Sequence, residues 1–227
     1  DNSEKKEISV LSFSLEIPAV LIPFMAETEQ LPADADDADP DIKEIFIEEA
    51  NEVLAEIVPL YEVWRLSSTD LSELKDIRRG FHTLKGSGRM VGAHYTAELA
   101  WSIEDMLNRI LDRSITASAD ICRLITDVLA AYPAMLTVFE NNRQNYPAMV
   151  PLWITCAKGY SKQQGDKFSY IALYTQAVNR SEYETNHGLV TSSDSSETIN
   201  FDDSNEEVDI TLQLINSVND MIAEAPI

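Results

Sequence analysis

Cysteine is almost missing from this chain: Cys122 and Cys156 are the only two in 227 residues. Their spacing fits neither a zinc site nor a redox pair, and no metal site is expected. Two isolated thiols suit a reducing cytosol, and both read as small buried apolar side chains. Glycine is scarce, with seven residues and no glycine-rich nucleotide loop, which argues against a complete ATP-binding enzyme in this chain. Cations are few as well. Against 39 Asp and Glu stand 17 Lys and Arg, a net charge of −22. Such a surface repels phosphate backbones, so nucleic acid is excluded as a partner. No run approaches the roughly 18 apolar residues of a membrane span. Ile8 to Met25 is apolar in patches, is broken by Glu16, Pro18 and Pro23, and lacks the basic start and cleavage site of a signal peptide. The expected setting is cytoplasmic and off the membrane. The chain starts with Asp1 and reads as a piece of a longer protein.

What is present is helical periodicity. Asp41 to Trp64 carries Ile42, Ile45, Phe46, Val53, Leu54, Ile57, Tyr61 and Trp64 as an apolar stripe. Asp41 is its expected cap, with Glu44 completing a capping box, and Pro59 its expected kink. Ser67 to Leu71 reads as a turn with Thr69 or Asp70 as the next cap. Helices follow over Leu71 to Val91, Tyr95 to Asp112 and Ala117 to Asn141, the last with Pro133 as a second kink. Four amphipathic helices with short turns predict an all-α, up-down four-helix bundle. Shorter helices are expected over Ala148 to Ser161 and Phe168 to Arg180. The resulting division is an acidic N-terminal flank or linker over 1–40, a bundle over 41–145, a C-terminal helical extension over 146–181, and a flexible polar linker with a terminal amphipathic helix (Glu207 to Ala223) over 182–227. Val10 to Met25 is compatible with a strand or a short helix against the bundle. Trp64, Trp101 and Trp153 read as packing residues.

The second helix carries the chemistry. With His82 at zero and about 100° per residue, Lys75, Arg78, Arg79, Lys85 and Arg89 all fall within about 60° of it. Leu74, Ile77, Phe81, Leu84, Gly88 and Val91 form a separate stripe about 120° away. His82 therefore lies on the solvent side in a cationic strip. Gly86, one turn on, costs about 1 kcal/mol relative to alanine in a helix, and clears space beside His82 for a large partner.

The string Phe81-His82-Thr83-Leu84-Lys85-Gly86-Ser87-Gly88 resembles the H-x-L-K-G-[SAG] signature of histidine phosphotransfer (HPt) domains. The resemblance runs from about Asp41 to Asn141. Ile45 to Leu54 is similar to the first helix of HPt domains in chemotaxis-type histidine kinases. Phe81 to Ala93 and Ala97 to Asn108 are similar to the PilL/ChpA branch, the large CheA-like hybrid kinases of type IV pilus and twitching-motility systems. The resemblance implies a bundle of HPt type, with His82 as phospho-acceptor, Lys85 as phosphoryl contact and Glu104 (or its neighbour Asp105) orienting the imidazole. Trp101 stands where such domains often carry a second polar residue. Gly86, Gly88, Lys75, Arg78, Arg79 and Arg89 become the docking face.

The chemistry suits these residue types. Neutral imidazole is the nucleophile, and its ordinary pKa is near 6.5. A carboxylate at the far nitrogen fixes the tautomer and supports the cation formed on attack. A lysine one turn away pairs with phosphoryl oxygens. The implied partners are receiver domains and the kinase catalytic domain of the parent protein. ATP and Mg²⁺ act in those partners, and the fragment itself needs no cofactor and is not expected to be a catalyst. The competing reading is a phosphorylation-silent docking or scaffold module, which has no reason to keep His82, Lys85 and Gly86 together.

Overall fold

The structure is a computed structural model that describes residues 8–9, 14–35, 38–67, 71–143 and 145–187. The helices, in chain order, are α1 (Ile22–Thr28), α2 (Pro40–Ser67), α3 (Leu71–Met90), α4 (His94–Leu111), α5 (Ala119–Glu140), α6 (Val150–Ser161) and α7 (Tyr170–His187). A minimal antiparallel pair, β1 (Ile8–Ser9) with β2 (Ser14–Leu15), and a single 3-10 turn (Ala19–Leu21) precede them. The fold is all-α, as expected. Helix α3 packs between α2 and α4, and α5 closes the bundle against α2 and α4. Helix α6 lies on α4 and α5, α7 on α5, and α1 on α6.

Asp39, not Asp41, caps α2. Its Oδ1 accepts hydrogen bonds from the backbone N–H groups of Asp41 (2.9 Å) and Ile42 (3.4 Å), and Pro40 occupies the first helical position, where no N–H is needed. The helix runs through exposed Pro59 without a break, and α5 does the same at Pro133. The expected α2 stripe shifts in its first turns. Ile42 and Ile45 are exposed, while Lys43, Phe46, Ala50, Leu54, Ile57, Tyr61 and Trp64 are buried. Lys43 is tolerated because its stem is covered, its ammonium donates to Asn142 Oδ1 and it lies 4.8 Å from the Phe139 ring centre. Phe46 meets Phe139 edge to face at 5.7 Å. The stripe expected on α3 is buried as read, and α4 and α5 bury one apolar face each, with Leu99, Ile103 and Met106 on α4 and Leu124, Val128 and Tyr132 on α5. Helix α5 is apolar and long enough by composition to cross a membrane, but its apolar residues fill this core.

The α3–α4 turn positions the site. Ala93 N–H donates to Gly88 O (2.9 Å) and Gly92 N–H to Arg89 O (3.3 Å), with Gly92 at φ 75°. This is a Schellman ending, in which glycine takes the left-handed position. Gly88 lets α4 approach: a Cβ there would lie 3.2 Å from Ala97 Cβ and 3.6 Å from Ala93 O. The segment before α2 is tied to the same turn. Ala35 N–H donates to Gly92 O (3.0 Å), and Asp34 accepts from Tyr95 N–H (3.2 Å) and from the Tyr146 hydroxyl. Leu15, Ile17, Leu21 and Met25, from the segment read as a flank, are buried in the common core.

Helix α7 continues to His187, past the residue-182 boundary expected from composition. It is held by a buried network. Arg123 Nε donates to both Asp127 oxygens (2.8 and 3.0 Å), the Tyr170 hydroxyl donates to Asp127, and Trp153 Nε1 donates to the Tyr170 hydroxyl (2.8 Å). Both cysteines are free; Cys156 is buried and Cys122 half-buried. Thr69, Asp70 and the Glu207–Ala223 segment lie outside the described residues.

The two glycines of α3 should respond oppositely to a side chain. A Cβ at Gly86 meets nothing within 4 Å, so Gly86→Ala should stabilise by about 0.5–1 kcal/mol. Gly88→Val should destabilise by about 1–3 kcal/mol through overpacking. Denaturant midpoints of both variants check the pair. A neutral Gly88→Val would show that the α3–α4 seam is not tight.

Candidate functional site

Helix α3 presents His82 on its outer face, with 58% of the side chain exposed. Its inner face is anchored by Leu74, Ile77, Phe81 and Leu84, which are fully buried. From α4, Glu104 reaches up from below with only 5% of its side chain exposed. Glu104 Oε1 lies 2.8 Å from His82 Nδ1, and Oε2 lies 2.7 Å from Lys85 Nζ. Lys85 Nζ is also 3.3 Å from His82 Nδ1 and 4.8 Å from the centre of the Trp101 ring.

Burial by itself would raise the Glu104 carboxyl, but hydrogen bonds and charge from Lys85 and His82 outweigh it and hold its pKa below the ordinary value. At neutral pH Glu104 is therefore a carboxylate, and Nδ1–H donates to it. That fixes the tautomer and leaves the lone pair on Nε2, which no described residue engages. A ring with one nitrogen clamped by a buried anion and the other open is a nucleophile arranged for a large electrophilic partner.

Several sequence-predicted residues sit otherwise than the helical wheel implied. Lys85 is drawn inward, 14% exposed, instead of lying in an open cationic strip. Gly88 is buried against Ala97 and cannot touch a docked protein; it serves the α3–α4 seam. Gly86 is exposed, with open space where a side chain would go. The strip itself is mixed in sign: Arg79 pairs with Asp76 at 2.9 Å, and Arg89 lies 3.9 Å from Glu98. Lys75 is exposed and Arg78 half-buried. Asp105 points to Lys162 (3.9 Å), not to His82. Trp101, read from sequence as a packing residue, is half-buried and faces two cations, Lys85 and Arg89 at 5.8 Å. Among the described residues no group of His, Cys, Asp and Glu is arranged to hold a metal.

Residues 41–135 match the family model of the Hpt domain. The match spans α2 to α4 and most of α5. Searches of curated proteins and of solved structures returned no match. An Hpt domain implies histidine phosphotransfer in two-component signalling, with receiver domains and kinases as the general class of partner. The Hpt match ends within α5, whereas the core continues through α6 and α7.

The Glu104 pKa carries a stability consequence with a definite sign. A carboxyl whose folded pKa lies below its unfolded value, about 4.3 for glutamate, adds stability above that unfolded value. The contribution is lost as pH falls through the lower folded pKa. The stability gap between wild type and Glu104→Gln should therefore be full at pH 7 and shrink below about pH 4. Urea melts of both proteins across pH check it. A gap that stays constant to pH 2 would contradict the charged, paired state of Glu104.

Proposed function

We propose that this protein is phosphorylated on His82 Nε2 and passes the phosphoryl group to or from the aspartate of a receiver domain. The observation that carries the reading is the exposed His82 ring held at Nδ1 by buried Glu104 (2.8 Å). In the transfer, the Nε2 lone pair forms the N–P bond as the bond from phosphorus to the donor oxygen breaks. The imidazolium that results is stabilised by Glu104. Lys85, with ammonium donors beyond the one given to Glu104, is placed one turn away to contact phosphoryl oxygens. ATP and Mg²⁺ belong to the partners: a kinase catalytic domain loads the group, and a receiver's acidic pocket takes it. Gly86 leaves room for that partner, and Lys75, Arg78, Arg79 and Arg89 steer its acidic pocket. The similarity of the motif and flanking helices to PilL/ChpA-type kinases supports a place in a cytoplasmic, chemotaxis-like pathway controlling type IV pili and twitching motility.

Incubation with a radiolabelled phospho-receiver, or with the kinase core and ATP, tests the reading. Label should appear as acid-labile phosphate on His82 and vanish in His82→Gln, while His94 and His187 stay unlabelled. Label that persists in His82→Gln would overturn the assignment. Gly86→Gln should leave the melting temperature unchanged or slightly raised yet slow transfer at least tenfold, because its side chain occupies the docking space. Equal rates would show that no partner packs over that face.

A further inference from the structure

The Trp101 ring and the Lys85 ammonium share a position that packing alone does not require. Lys85 has a flexible four-carbon stem and would by default send its charge to water. Here it is 14% exposed, its Nζ 2.7 Å from Glu104 Oε2 and 4.8 Å from the Trp101 ring centre. The ring comes from α4, one turn before Glu104, so a single helix supplies both the carboxylate and the aromatic face. A cation within about 6 Å of an indole face is attracted by the ring quadrupole, most strongly where water is excluded. The ring therefore borders the ammonium beside the carboxylate without sealing it from solvent. Arg89 at 5.8 Å from the same ring, and 53% exposed, covers it from outside.

We propose that Trp101 is a positioning residue for the phosphotransfer site, holding Lys85 against Glu104 so that the charge on the carboxylate that orients His82 stays balanced. This rests on the phosphotransfer reading above and extends it. The groups that set the charge of Glu104, besides its own burial, are Lys85 and His82, both on α3. His82 is needed as the neutral nucleophile, so Lys85 is the permanent counter-charge. With the ring in place, the ammonium stays on the Nδ1 side of the imidazole, 3.3 Å from that nitrogen, and leaves the approach to Nε2 open. Without it, Lys85 swings to solvent, Glu104 loses its compensating charge, and its hold on the ring changes.

The test compares Trp101→Leu, which removes the aromatic face, with Trp101→Phe, which keeps one. Carbon-13 NMR of the full chain without a partner follows the Glu104 carboxyl and the Lys85 ε-methylene. In wild type the ε-protons should be shifted upfield by the ring current. In Trp101→Leu that shift should vanish and the Glu104 titration should move up toward its ordinary value; Trp101→Phe should retain most of both. In transfer assays the rate at saturating receiver should fall about threefold to tenfold in Trp101→Leu, with the half-saturating concentration unchanged, and recover in Trp101→Phe. A folded Trp101→Leu whose Glu104 titration superimposes on wild type would overturn the proposal. Should Trp101→Leu lose helix content, Trp101→Phe decides alone: an unshifted Lys85 methylene with unaltered Glu104 titration and transfer would overturn it equally. The NMR measurements need no phosphoryl group. A wild-type chain that takes no label would therefore refute the relay while leaving the hold of Trp101 on Lys85 to be judged on its own.

Discussion

A carboxylate buried between two helices is the constraint from which the site follows. Glu104 is 4% exposed, and an isolated buried anion would be driven to neutralise. It remains charged only because α3 delivers Lys85 and His82 to its two oxygens. Those contacts require α3 and α4 to lie close together, and Gly88 against Ala97 permits it. Placing a side chain at Gly88 would thus press on the seam that lies less than two turns from the reactive ring. Packing and chemistry share one geometric requirement here, and neither is satisfied without the other.

The arrangement divides labour between the two helices. Helix α3 carries the group that partners must reach, on a face kept open by Gly86. Helix α4 carries the carboxylate that must stay out of water, and the half-buried indole that borders the lysine. Both helices are pinned by fully buried side chains, so the imidazole is aimed by rigid elements and not by a loop.

Much of this was legible in the sequence. The apolar stripe of α3 and the amphipathic character of α4 and α5 are strongly periodic, and the H-x-L-K-G string points to His82 on an exposed face. The pairing of Glu104 with His82 comes from resemblance, since periodicity alone names no partner for Glu104. The misreadings have physical causes. Ile42 and Ile45 are apolar yet exposed, because a lysine stem over Phe139 takes the inner position. Lys85 looked like part of a wet strip because a helical wheel knows nothing of the indole and carboxylate on the neighbouring helix. Helices α4 and α6, by contrast, end within a residue of expectation, at Leu111 and Ser161, although Arg113 and Gln163 beyond them take a left-handed conformation for which they have no intrinsic preference. Trp101 looks like a packing residue in the sequence because its partners are cations on the neighbouring helix.

Asp34 has a consequence for how this unit is delimited. It supplies, from before the Hpt segment, the acceptor for a backbone donor in the first turn of α4, the helix that carries both Glu104 and Trp101. Ala35 is bonded to the turn that starts that helix, and Leu21 and Met25 complete the apolar layer beneath α6. The boundary drawn by family likeness, at residue 41, therefore cuts inside the common core. A fragment trimmed to residues 41–135 would keep every group of the site and forfeit the capping contact and apolar cover that the flanking segments supply. For this protein the segment that matches the family and the segment that shares one apolar core are different objects.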